Sequence, residues 1–369
     1  MLFIPFSAFA DPDGDPAADF ALELAASLNN SDLAAQVLLT AIDGKQNLVP
    51  AMRSLLQKIP AGGLMLFRFN LDTSKAEVKA LLSGSAVLVA ERTGIPPFMA
   101  VDHEGGLINR FGAVAERLPS AFYFWELSLK SGWDAALEQA ENLYTRSAKE
   151  IRDLGITMVL GPVAEILNKD NELFLETRSY GPDADFIQAA ASVYIKSMDS
   201  SRIASAVKHF PGNTSADPHS GASVLKAEKP ELDEMVKPFA GVIKDLSPPA
   251  IMLSHVMVPA LDSQKNASLS RPVIMGWLRG ELGFKGIVIA DDFSMGAVAG
   301  AGLSHEEAAV EALNAGVDMI MVWPRNISLV HGAILKALVE GRLSRERLLE
   351  AAAHIIAGKI RYGIVNISK

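Results

Sequence analysis

The stretch Ile287-Val288-Ile289-Ala290-Asp291-Asp292, the signal Ser304-His305-Glu306-Glu307 and the run Gly316-Val317-Asp318-Met319-Ile320-Met321-Val322-Trp323 decide the fold. The first and last are short, β-rich and apolar throughout, as strands buried on both faces must be. Between them Ser304 and Glu307 form a capping box ahead of an Ala-rich amphipathic stretch, and Gly316 stops the helix just before the second strand. The unit is β-α-β in character.

Working outward, the same kind of run recurs at residues 37–43, 63–67, 98–102, 156–161, 205–209 and 250–255, which with 287–291 and 317–323 makes eight. Helical patterns lie between most of them, so the spacing predicts an α/β protein, a single-domain (β/α)8 barrel of the TIM type. Residues 11–36 and 342–361 read as mainly helical segments outside the repeat, the second opening at Ser344, and neither suggests a further domain. The barrel is therefore assigned to residues 11–369, with 1–10 set apart.

Composition narrows the function. The chain has 369 residues, 34 basic and 43 acidic side chains for a net charge of −9, 49% hydrophobic residues and no cysteine. A disulfide scaffold and a Cys-based zinc site are excluded. The negative charge lacks the basic field that gives nucleic-acid binding its affinity, so no nucleic-acid partner is expected. No run approaches the roughly 18 apolar residues of a membrane span. The segment Met1 to Ala10 is apolar and ends Ala8-Phe9-Ala10; it reads either as a truncated export signal or as an arm packed on the domain, which leaves the compartment open between exported and cytoplasmic.

Polar residues collect at one end of the strand runs: Asp43, Arg68, Asp102, Lys208, His209, His255 and Asp291 all lie at or just after C-terminal strand ends. That is the face that carries chemistry in barrel enzymes. There is no phosphate loop, no dinucleotide fingerprint, no H-E-x-x-H, no H-x-H pair and no G-x-S-x-G elbow. No metal and no cofactor is expected. What remains is the pair Asp291-Asp292 and the loop from Lys208 to His219. Proline disfavours the helical region for the residue before it, so Asp217, preceding Pro218, should be extended, and an extended i, i+2 pair puts Asp217 and His219 on one side. The carboxylate would then fix the imidazole tautomer and raise its pKa, suiting it to give and take a proton near neutrality. Strand alternation does not choose between Asp291 and Asp292, because either parity gives a plausible inward set.

From about Gly63 to the end, the chain resembles the single-barrel β-N-acetylhexosaminidases of glycoside hydrolase family 3, which trim N-acetylglucosamine from peptidoglycan fragments. The likeness rests on Val101-Asp102-His103-Glu104-Gly105-Gly106 with Arg110-Phe111, on Arg178-Ser179-Tyr180-Gly181, and on Lys208-His209-Phe210-Pro211-Gly212. It continues in Ala267-Ser268-Leu269-Ser270-Arg271-Pro272, in 278–284, and in Ile289-Ala290-Asp291-Asp292-Phe293-Ser294-Met295. The resemblance implies that Asp291 is the nucleophile of a retaining mechanism with a covalent glycosyl-enzyme, that His219 held by Asp217 is the acid/base, and that Asp102, Arg110, Arg178, Lys208 and His209 bind the sugar. The expected partner is a carbohydrate substrate.

Four departures stand out. The stretch between Pro-Gly and the Asp-x-His pair is about two residues shorter than the family's, Pro218 replaces the usual serine, Leu107 follows Gly105-Gly106 where an arginine is usual, and Phe293 replaces a leucine. Other family 3 β-glycosidases are the rival reading, as is a sugar-binding homologue with weak turnover; phosphate in place of water stays open as the acceptor. The β-glucosidases and β-xylosidases of the family usually add an α/β domain carrying a carboxylate acid/base, and no such domain is expected here.

Overall fold

A computed structural model describes residues 16–216, 223–293 and 303–367. All eight runs form strands: β1 (Leu38–Ala41), β2 (Gly63–Leu66), β3 (Phe98–Gly105), β5 (Met158–Val163), β6 (Ala204–Phe210), β7 (Ala250–Leu253), β10 (Ile287–Ala290) and β11 (Met319–Val322). Each pairs in parallel with its neighbours in the order β2-β1-β11-β10-β7-β6-β5-β3, and β3 returns to β2, so the sheet closes into a barrel. The single-barrel expectation is met. Every residue of β1, β2, β7, β10 and β11 is buried, the signature of strands covered by side chains within and helices without.

The deciding unit folds as its sequence demands. Ser304 Oγ accepts from Glu307 N at 3.2 Å, Glu307 Oε2 accepts from Ser304 N at 3.0 Å, and the helix His305–Ala315 ends at Gly316, whose φ of 118° suits a residue without a side chain. Patterning missed the short hairpin pieces: β4 (Ile108–Asn109) pairs back on β3, and β8 (Met257–Val258) pairs with β9 (Asp262–Asn266). The two-residue β4 and β8 are too short to show periodicity, and the five residues of β9 are polar throughout, so no apolar run marks it. Residues 1–10, read as export signal or arm, lie outside the described residues.

The two flanking helical segments seal the barrel's N-terminal end. Helices Pro16–Ser27 and Asn30–Gln36 meet the helix Arg345–Arg361, whose Arg345 Nη2 donates to Leu28 O at 3.1 Å. Asp318, fully buried just before β11, has both oxygens occupied. Oδ1 accepts from Arg347 at 2.9 Å and pairs with His354 Nδ1 at 3.0 Å; Oδ2 accepts from Arg279 at 2.6 Å and from Val288 N at 2.9 Å. Burial alone would raise its pKa, but the facing His354, Arg279 and Arg347 hold it well below the usual carboxylate range. Nearby, Lys359 is 0% exposed, with its Nζ 2.9 Å from Gln36 Oε1 and 5.8 Å from the centre of the Phe98 ring. Among the described residues no acid faces it, and burial pushes its pKa down to about 7.

Candidate active site

The opposite, C-terminal end of the barrel carries the polar cluster. Asp102 and Glu104 sit two residues apart on β3, so alternation points both to the same side. Lys208 of β6, buried to 2% exposure, bridges them: its Nζ lies 2.8 Å from Asp102 Oδ1 and 2.7 Å from Glu104 Oε1. Arg110 reaches Asp102 Oδ2 at 3.3 Å, and Arg178 grips Glu104 with two bonds, Nε to Oε2 at 2.7 Å and Nη2 to Oε1 at 3.0 Å. A planar guanidinium fits a carboxylate in this two-toothed way, which fixes orientation as well as charge.

The cluster sets its own protonation. Burial works against charge on every member, yet the opposite charges win: Asp102 and Glu104 are held below the usual carboxylate range by Lys208 with Arg110 and Arg178 respectively, and those acids push Lys208 and Arg178 upward. Ion pairs this buried add little net stability, because desolvation offsets attraction. Their effect is to hold a fixed set of donors and acceptors at the mouth.

His209, next to Lys208, packs its Nδ1 2.6 Å from Glu165 Oε1. A carboxylate accepts, so Nδ1 donates, and Nε2 faces Arg178 Nη2 at 3.4 Å. Asn213 Nδ2 also donates to Glu165 Oε1, at 3.0 Å. Phe174 closes this side, with the Arg178 guanidinium 5.3 Å from the centre of its ring. The run Arg178-Ser179-Tyr180-Gly181 holds Arg178 in place: Ser179 Oγ donates to Glu165 O at 2.6 Å, the Tyr180 hydroxyl meets that of Tyr144 at 2.9 Å, and a Cβ on Gly181 would lie 2.6 Å from Trp125.

Asp291 follows β10 directly. Its Oδ1 accepts the Asp292 N–H at 2.8 Å. Asp292 is held from both neighbouring strands. Trp323, one residue past β11, donates its indole N–H to Asp292 Oδ2 at 2.5 Å; His255, two past β7, has Nε2 3.2 Å from the Asp292 carbonyl oxygen and Nδ1 2.7 Å from Ser268 Oγ. The His255 ring is buried and lies 5.5 Å from that of Phe293. Burial lowers its pKa despite the nearby Asp291, which keeps it neutral at neutral pH, so Nε2 donates to the carbonyl and Nδ1 accepts the serine proton.

Of the residues expected from sequence, Asp102, Arg110, Arg178, Lys208 and His209 converge on one cluster, and Asp291 stands on the same face of the barrel. Asp217 and His219 lie outside the described residues. Leu107, where an arginine is usual, is 60% exposed on the turn between β3 and β4. Glu104, Glu165 and Trp323 were not singled out as site residues. The two-residue repeat from Asp102 was the signal for Glu104; Glu165 and Trp323 carry none in the local sequence. Among the described residues no cluster of His, Asp and Glu has the arrangement of a metal site.

The Glycosyl hydrolase family 3 N terminal domain profile matches residues 34–357, the barrel and everything that lines its mouth. The chain belongs to glycosyl hydrolase family 3. It is 33% identical over 298 residues to a beta-hexosaminidase of Xylella fastidiosa, covering 80% of this chain and 84% of that protein. It is 25% identical over 334 residues to beta-hexosaminidase A of Pseudoalteromonas piscicida, covering 84% of this chain but only 54%, about half, of that longer protein. Among solved structures, a family 3 β-N-acetylglucosaminidase from a Paenibacillus species superposes with a TM-score of 0.85 at 28% identity, over 93% of this chain and 65% of that one.

Proposed function

We propose that this chain is a retaining exo-β-N-acetylglucosaminidase that removes terminal N-acetylglucosamine from peptidoglycan fragments or related glycosides, with water as the acceptor. The observation that carries the reading is the unequal state of two adjacent carboxylates after β10. Asp292 is engaged through its side chain by Trp323 and through its carbonyl by His255, whereas Asp291 accepts a single bond on Oδ1 among the described residues, leaving Oδ2 to attack.

In this reading Asp291 Oδ2 bonds to the anomeric carbon as the bond to the leaving oxygen breaks, and that oxygen takes the proton of His219, which Asp217 steadies. Water then gives its proton back to His219 while its oxygen displaces Asp291. Asp102, Arg110, Arg178, Lys208 and His209 hold the sugar so that the attack geometry is reached without further ordering. The Lys208 ammonium and the two arginines offer donors whose charge the surrounding acids secure, and Asp102 accepts from sugar hydroxyls. The names of the relatives and the Paenibacillus structure support N-acetylglucosamine as the sugar.

The test is release of 4-nitrophenol from its N-acetyl-β-glucosaminide. Asp291→Ala is expected to lower kcat by about 10³-fold or more. A 2-deoxy-2-fluoro sugar is expected to add its mass to the peptide containing Asp291. Wild-type rates in Asp291→Ala and His219→Ala, or a label carried by another residue, would end the proposal. Equal turnover of the corresponding glucoside would move the chain to another family 3 activity.

A further inference from the structure

Trp323 takes part in no bond-making step of the proposed reaction, yet it makes one of the shortest side-chain bonds at the mouth and bonds the residue next to the nucleophile. Three observations bear on it. First, β7 and β11 are the two strands that flank β10 in the barrel, and each sends one donor from just past its end to Asp292: His255 to the main-chain oxygen and Trp323 to the side chain. Asp292 is thus gripped from both sides, and its own N–H is what Asp291 Oδ1 accepts. Second, the indole is braced. Its ring stacks on Phe67, which follows β2, with centres 5.0 Å apart and planes 17° from parallel, and Phe67 in turn lies parallel to Phe69 at 6.2 Å. Third, the indole N–H is a pure donor, so its bond to Asp292 Oδ2 cannot reverse, and the carboxylate rotamer is tied to the position of the ring.

We infer that Trp323 is a positioning residue for the reaction: acting with His255 through Asp292, it sets the direction in which Asp291 presents Oδ2 to the anomeric carbon. This rests on the assignment of Asp291 as nucleophile. A carboxylate whose attacking oxygen must meet carbon in line loses rate steeply with small errors of placement, whereas sugar binding by Asp102 on β3, Lys208 on β6 and Arg178 in the connection after β5 does not pass through Trp323. Asp292 then serves as the joint between two strand ends and the nucleophile, in place of a free second acid.

The experiment is a double-mutant cycle on the full chain with the 4-nitrophenyl substrate. Trp323→Phe keeps a ring to stack on Phe67 and removes only the donor. It is expected to lower kcat by about 10- to 100-fold with KM changed less than about two-fold. In an Asp292→Ala background the same change is expected to add less than about two-fold, because the route through Asp292 is already cut. Trp323→His, which retains a ring N–H, should recover part of the loss. A drop of kcat under about three-fold, a rise in KM that accounts for the loss, or losses that multiply in the Asp292→Ala background would overturn the proposal. Should Trp323→Phe fail to fold, a cycle built on Trp323→Leu, which also removes the donor, decides on the same terms. Failure of the nucleophile assignment is separately visible, since the fluorinated sugar would then label a residue other than Asp291.

Discussion

The two ends of this barrel bury charge in opposite ways. At the N-terminal end Asp318 is fully engaged: it has four partners on its two oxygens, drawn from two helices and a strand. At the C-terminal end the charges are paired but not exhausted. Arg110 Nε and Glu165 Oε2 are buried with no partner among the described residues, and Lys208 spreads its bonds over two acids. A closed cluster specifies the fold; an open one keeps donors and acceptors that water or a saccharide completes. Buried ionic groups alone therefore do not mark a site, whereas leftover hydrogen-bonding capacity facing the mouth does.

The largest expected effect breaks the floor. Asp318→Ala strands Arg279, Arg347 and His354, and should lower unfolding free energy by about 3–5 kcal/mol in urea titration while leaving kcat per folded molecule unchanged. A fall in kcat at full foldedness would mean that the two ends are coupled. Next comes Lys359, whose native pKa of about 7 lies below the ordinary lysine value of about 10.4. Between those values the unfolded chain holds a proton that the folded chain does not, so stability from this group rises as pH rises from about 7 towards 10 and is lost as pH falls back to 7. Wild type should gain about 2–3 kcal/mol relative to Lys359→Met between pH 7 and pH 9. Parallel curves for the two proteins would show that Lys359 keeps an ordinary pKa.

The smallest change sharpens the mouth. Arg178→Lys keeps a charge beside Glu104 but loses the two-bond grip, so kcat/KM should fall by about ten-fold, with stability altered by less than about 1 kcal/mol. If stability falls as it does for Asp318→Ala and kcat/KM does not, the mouth is built like the floor, and the distinction fails.

The barrel was legible because continuous apolar runs, a capping box and a stopping glycine act locally, and each does at Ser304, Glu307 and Gly316 what its chemistry requires. The placement of Asp102, Lys208 and Asp291 at or just past strand ends on one face was legible because the apolar runs that carry them stop there. Glu165 and Trp323 were not. Each becomes meaningful only through a partner far away in sequence, His209 for the acid and Asp292 for the indole, and no periodicity records that meeting. His255 falls between the two: its place at a strand end was visible, but its bond to Asp292 O was not.

The alternation along β3 has one more consequence. His103, between the two acids, points the other way and meets Ser147 of the helix Trp133–Leu154 at 2.8 Å. A single residue inserted ahead of Asp102 would exchange these faces, turning the imidazole inward and both acids out against a helix. Such a slip would leave Lys208 without either counter-charge. The pairing of Lys208 with both acids is thus written in the reading frame of one strand, where a shift of one position would undo it.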